Sequence, residues 1–173
     1  MPNIYLVGFM GAGKSLVGRA VAARSRRRFI DLDSHLEERF EMPISEVFRH
    51  HGEPVFRRAE RDALSWAARL DDDAVVATGG GAFCDDDNRE MIHGRGGRSV
   101  FLDVPWTVIA GRLEQEHGNR PVFRSLEQAE QLWRARRPHY EKATWTLDLT
   151  GAESPDEIAD AVLSRESGVP CAT

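Results

Sequence analysis

Residues Gly8-Phe9-Met10-Gly11-Ala12-Gly13-Lys14-Ser15, or GFMGAGKS, decide the fold. They follow the short apolar run Ile4-Tyr5-Leu6-Val7 and open a segment, 16–24, with helical patterning. GxxxxGK[ST] between a strand and a helix is a phosphate-binding loop. Its glycines let backbone N–H groups turn inward around phosphate oxygens, and the helix N-terminus adds partial positive charge. Lys14 is placed to reach the β- and γ-phosphates of a nucleotide, and Ser15 to set its hydroxyl on Mg²⁺. The competing reading is a glycine-rich turn that binds nothing, and the strand before it and the helix after it argue against that. The loop alone does not choose among a switch, a motor and a kinase.

The remaining sequence alternates strands and helices. Apolar, β-rich runs stand at Ile4–Val7, Phe29–Leu32, Ala74–Ala77, Ser99–Leu102 and Trp145–Leu149. The second to fourth are nearly continuous in hydrophobicity, as strands buried on both faces of a parallel sheet are. Capping-box patterns at Ser34-His35-Leu36-Glu37 and Ser125-Leu126-Glu127-Gln128 mark helix starts. Ser154-Pro155-Asp156-Glu157 adds proline at the first helical position of a closing helix. Five strands with intervening helices predict an open, doubly wound α/β sheet in a single domain over 1–173.

Composition narrows the partners. The chain of 173 residues has 29% charged residues and a net charge of −5, so its overall charge favours neither nucleic acid nor an anionic membrane. No apolar run approaches the roughly 20 residues of a membrane span. The start, MPNIYLVG, has no basic n-region, and no signal peptide is expected. Cys84 and Cys171 show neither metal-ligand spacing nor a disulfide framework, which suits a reduced, cytoplasmic setting.

Five further stretches carry candidate chemistry. In Phe29-Ile30-Asp31-Leu32-Asp33-Ser34, two carboxylates two apart at a strand's end point toward the crevice where such sheets bind ligands. One is suited to support a metal and the other to accept a hydroxyl proton; the plainer reading is an acidic helix start. In Phe56-Arg57-Arg58-Ala59-Glu60-Arg61, Glu60 shares a helical side with Arg57 and can hold its planar fork for a carboxylate, or simply form a helical ion pair. Gly79-Gly80-Gly81 after the third strand predicts close backbone approach to a ligand and positive φ, against a merely flexible loop. The segment 111–125, with Asn119-Arg120-Pro121, reads as a mobile lid that delivers Arg120, or as a surface loop. Arg136-Arg137-Pro138-His139-Tyr140 ends a helix whose apolar side carries Ala129, Leu132 and Trp133, which turns Arg136 inward.

Together these blocks resemble the shikimate kinases. The likeness runs from Ile4 to about Leu163 through GFMGAGKS, DLD at 31–33, FRRAE at 56–60, GGGA at 79–82, NRP at 119–121 and RRPHY at 136–140. The resemblance implies a three-layer α/β/α P-loop kinase fold with a five-stranded parallel sheet of order 2-3-1-4-5 and a mobile lid. It implies transfer of a phosphoryl group from ATP to the 3-hydroxyl of shikimate, with Mg²⁺, by a cytoplasmic monomer. Gly11, Ala12, Gly13, Lys14, Ser15, Leu16, Arg112 and Arg120 would bind the nucleotide, and Ser15 and Asp31 the metal. Asp33 would accept the hydroxyl proton, with Lys14 and Arg120 on the transferring phosphoryl. Arg57, Glu60, Gly79, Gly80, Gly81 and Arg136 would hold shikimate within a substrate segment of about 33–60, with Arg137 the alternative to Arg136. The chain departs from the family in having Val122-Phe123 after the lid proline and His139 before the tyrosine, where leucines are usual. Weighed against it are a gluconate or nucleoside monophosphate kinase of similar fold, and a nucleotide-binding regulatory module without catalysis.

Overall fold

The structure, a computed structural model, describes residues 1–70, 73–115 and 125–168. Five parallel strands form one sheet in the order β2-β3-β1-β4-β5. They are β1 (Ile4–Val7), β2 (Arg28–Asp31), β3 (Ala74–Ala77), β4 (Arg98–Asp103) and β5 (Trp145–Asp148). Every residue of β1 and β3 is buried, which accounts for their unbroken apolar runs. Among the described residues the helices are α1 (Lys14–Ser25), α2 (Leu32–Phe40), α3 (Ile44–His51), α4 (Glu53–Arg69), α5 (Asp86–Gly94), α6 (Trp106–Gln115), α7 (Leu126–Tyr140) and α8 (Pro155–Glu166). They cover both faces of the sheet, and α1 packs on α8 and on β3. The C-terminal ends of β1, β2 and β3 therefore open onto one crevice, where open α/β sheets bind ligands.

The join between β2 and α2 differs from the sequence expectation. The strand stops at Asp31, whose side chain accepts from the N–H groups of Asp33 and Ser34, so the helix begins at Leu32. An aspartate at the end of a strand caps the following helix before Ser34 can, and Asp33 lies in the first helical turn, as the plainer reading of an acidic helix start has it. Glu37 does not close a box with Ser34; its Oε1 accepts from Ile44 N at 3.0 Å, at the start of α3, whose Pro43 offers no side-chain cap. Elsewhere the caps are as read. Ser125 accepts from Gln128 N, and Ser154 and Glu157 form both halves of a capping box. Helix α6 runs through Gln115, so the first residues of the expected lid are helical. Residues 116–124 of that lid, with Arg120, and Cys171 lie outside the described residues. Among the described residues no helix is long and apolar enough to cross a membrane.

Candidate active site

The loop between β1 and α1 is built for an anion. Gly13 occupies the N-cap of α1 at φ 88°, a conformation that a side chain would strain, and no side chain caps the helix. Its first N–H groups therefore remain for a ligand, with the helix dipole behind them. The Lys14 Nζ donates to the carbonyls of Gly8 and Phe9, each at 2.9 Å, which folds the ammonium over the loop. Arg112 Nη1, from α6, donates to Gly11 O at 2.7 Å. Ser15 Oγ donates to Asp31 Oδ2 at 2.5 Å, while Asp31 Oδ1 caps α2. One carboxylate thus fixes both the end of the loop and the start of the helix that carries Asp33.

Around this loop lies a cleft of about 470 Å³ lined by residues 11–17, Asp31, Asp33, Gly80 and Arg112, and by Glu153, Pro155 and Ile158 from the start of α8. Leu16 stands at its rim with 63% of its surface exposed, one of the large apolar side chains left in solvent. The last three lining residues were not legible as site residues. Pro155 reads as a helix-start proline, and only the packing of α8 on α1 brings it to the loop. Glu153 is fixed there by hydrogen bonds from the Thr150 and Gly151 N–H groups and the Thr150 hydroxyl, which hold its carboxyl down to about 2.

A second pocket, of about 270 Å³, adjoins the first and shares Met10, Asp33 and Gly80 with it. Arg57, Glu60 and Arg136 line one part, with Gly79, Gly80 and Gly81 beside them, and Ile44, Phe48 and Phe56 supply apolar wall. Arg57 Nη1 donates to Glu60 Oε2 at 2.7 Å and its Nε to Glu53 Oε1 at 3.2 Å. Burial works against the Arg57 charge, and Glu60 and Glu53 outweigh it, so the guanidinium is held above its usual pKa. Burial pushes Glu60 up, Arg57 restrains the rise, and the nearby Asp33 adds to it.

The triple glycine makes this arrangement possible by close approach and not by backbone handedness. None of the three has positive φ, contrary to the sequence expectation. A Cβ on Gly79 would stand 2.6 Å from Glu60 Oε1 and 2.9 Å from Asp33 Oδ1, and one on Gly81 would stand 2.5 Å from Arg57 Nη1. Gly79 and Gly81 are needed because charged side chains already occupy the space a methyl group would take, whereas a Cβ on Gly80 would meet its nearest neighbour, Arg136 Nη1, at an ordinary 3.5 Å. The structure also separates the paired arginines. Arg136 lines the pocket, its guanidinium 6.0 Å from the Phe9 ring centre, whereas Arg137 pairs with Asp103 and Glu141 on the far side of α7.

A family model described as shikimate kinase matches residues 10–166. A shikimate kinase of Oceanobacillus iheyensis is 37% identical over 164 residues, covering 92% of this chain and 87% of the relative. The chain belongs to the shikimate kinase family. The shikimate kinase of Acinetobacter baumannii, solved in complex with shikimate, superposes with a TM-score of 0.90 at 32% identity, covering 97% of this chain and 94% of that one. A gluconokinase of Sinorhizobium meliloti is 22% identical with a TM-score of 0.61, covering 96% of this chain and 94% of that one, and shares the fold alone. As a shikimate kinase family member the chain is a phosphotransferase, and ATP is its phosphoryl donor.

Proposed function

We propose that this chain transfers the γ-phosphoryl group of ATP to the 3-hydroxyl of shikimate. The observation that carries the reading is the shared wall. Asp33 and Gly80 line both the phosphate-loop cleft and the arginine-bearing pocket beside it, so a donor in one and an acceptor in the other meet at a carboxylate. Shikimate has a carboxylate at one end and hydroxyls at the other, which matches a pocket with Arg57 and Arg136 in one part and Asp33 in another. Arg57, fixed by Glu60 and Glu53, presents a pre-oriented fork for a carboxylate. The apolar wall of Ile44, Phe48 and Phe56 suits the carbon ring.

In this reading Asp33 orients the acceptor hydroxyl and takes its proton, and its place in the first turn of a capped helix keeps it aimed. Phosphoryl transfer of this kind demands positioning and charge neutralisation more than covalent help from the protein. Lys14 exchanges the loop carbonyls for phosphate oxygens, and the free N–H groups at the start of α1 hold the phosphate chain, assisted by residues 11–16. Arg112 and Pro155 bound the nucleotide cleft away from the phosphates, and Arg120 reaches the transferring group from the lid. Among the described residues no group of three His, Cys, Asp or Glu could hold a metal by itself. Ser15 and Asp31 nonetheless offer two oxygen donors beside the loop, a set that suits Mg²⁺, which keeps water and phosphate ligands. Bound there, Mg²⁺ supplies charge neutralisation on the phosphates. Both pockets share residues at one edge of the sheet, which supports a single domain; the family resemblance suggests a monomer, and ATP use and the two cysteines suit the cytoplasm.

A coupled ADP-release assay with shikimate, gluconate and AMP as acceptors tests the proposal. Turnover with shikimate well above the other two is expected. Preference for gluconate or AMP would assign a different acceptor, and no turnover with any would leave a nucleotide-binding module.

A further inference from the structure

The tyrosine that closes α7 has a role that the two-pocket reading does not use. Tyr140 is 1% exposed and its ring packs on Phe101, the centroids 5.3 Å apart. Its hydroxyl donates to the carbonyl of Gly80, sixty positions away in sequence, at the centre of the triple glycine. A phenol has one proton to donate, and here it is spent on that carbonyl. Arg136, one helical turn back, and Cys84 are the neighbours whose charge and polarity act on the same hydroxyl. Arg136 in turn reaches over Gly80, where a Cβ would lie 3.5 Å from its Nη1. The group stays protonated throughout the neutral range, because burial raises its pKa far more than Arg136 lowers it.

We infer that Tyr140 is a positioning residue: its hydroxyl holds the Gly80 carbonyl, and with it the peptide over which the Arg136 guanidinium reaches, and so sets the carboxylate-binding side of the acceptor pocket. The inference rests on the proposed shikimate site. An arginine on a flexible stem must lose rotamer freedom to grip a carboxylate, and a peptide held firmly beneath its guanidinium removes part of that cost. The tether bears chiefly on the acceptor, since Arg136 lines that pocket and not the cleft around the phosphate loop, with which only Gly80 is shared.

The test is Tyr140→Phe, which keeps the ring on Phe101 and removes the hydroxyl. With wild-type turnover on shikimate established first, the variant should show a shikimate KM raised about three- to tenfold, the size expected for one neutral hydrogen bond. Its kcat and its KM for ATP should stay within about twofold. In an Arg136→Ala background, Tyr140→Phe should leave the shikimate affinity, read by calorimetry, within about twofold, because the group it positions is gone. An unchanged shikimate KM, an equal rise in both KM values or full additivity with Arg136→Ala would overturn the inference. So would loss of the folded state, which would assign the hydroxyl to the fold. An enzyme inactive on shikimate would instead overturn the functional proposal beneath it.

Discussion

Arg57→Ala offers the most quantitative test, because what it leaves behind is known. Glu60 is 2% exposed and makes its 2.7 Å ion pair with Arg57. Without that partner, a buried ionised carboxylate costs about 3–5 kcal/mol. The protein has an escape, which is to protonate Glu60. Relative to an ordinary glutamate value of 4.5, neutralising it at about pH 7.5 costs about 4 kcal/mol, at about 1.4 kcal/mol per unit. At about pH 5.5 the same escape costs only about 1.4 kcal/mol. The destabilisation of Arg57→Ala relative to wild type should therefore fall by up to about 2.5 kcal/mol across that range. Urea unfolding at the two pH values measures it. Adding Glu60→Gln should recover most of the lost stability at the higher pH without restoring shikimate affinity, since the carboxylate-binding fork is still missing. A destabilisation independent of pH, or a double variant no more stable than Arg57→Ala, would refute the reasoning.

Three other outcomes are expected. Asp33→Asn should lower kcat by about 10²–10⁴ with the melting temperature nearly unchanged, because the side chain is exposed at the pocket junction and removes only the proton acceptor. Arg26→Gly should stabilise the protein by about 1 kcal/mol, seen as a rise of a few degrees on thermal melting, because Arg26 ends α1 at φ 58° and is exposed. Glu153, held down to about 2 by the Thr150 and Gly151 donors, contributes stability that is complete above about pH 4.5 and disappears as the pH falls through about 2. The stability gap between wild type and Glu153→Gln, followed by acid titration of the far-ultraviolet dichroism, should close over that window.

The phosphate loop and the five-strand order of elements were legible because they rest on local demands: glycine at the turn, hydrophobic runs at the strands, caps at the helices. Asp31 and Asp33 were legible as a pair but not in their geometry. A side chain's choice between continuing a strand and capping a helix is settled by the N–H groups that follow it, and Asp31 took those of Asp33 and Ser34. The arginine ambiguity at 136 and 137 is a matter of what faces each side of α7. Only the fold shows that Asp103 waits for Arg137 and the acceptor pocket for Arg136. Gly79, Gly80 and Gly81 were read as residues of close approach to a ligand; the groups the fold brings against Gly79 and Gly81 are the side chains of Glu60, Asp33 and Arg57, from separate elements. Pro155, Glu153 and Tyr140 were beyond reach for the same reason. Glu153 is fixed by its neighbours Thr150 and Gly151, but what brings these residues to the site lies far away along the chain, and no periodicity or motif records a meeting that the packing of α8 on α1, and of α7 beside the glycines, creates.

The central claim is that a donor held by the phosphate loop and an acceptor held by Arg57 and Arg136 meet at Asp33. Incubating the protein with ATP, Mg²⁺ and shikimate and recording phosphorus–proton correlated NMR of the product tests it most directly. The account predicts a single phosphate ester on the 3-oxygen, formed at a strongly reduced rate by Asp33→Asn. Phosphorylation at another hydroxyl, a mixture of esters, or an Asp33→Asn variant as fast as wild type would contradict it.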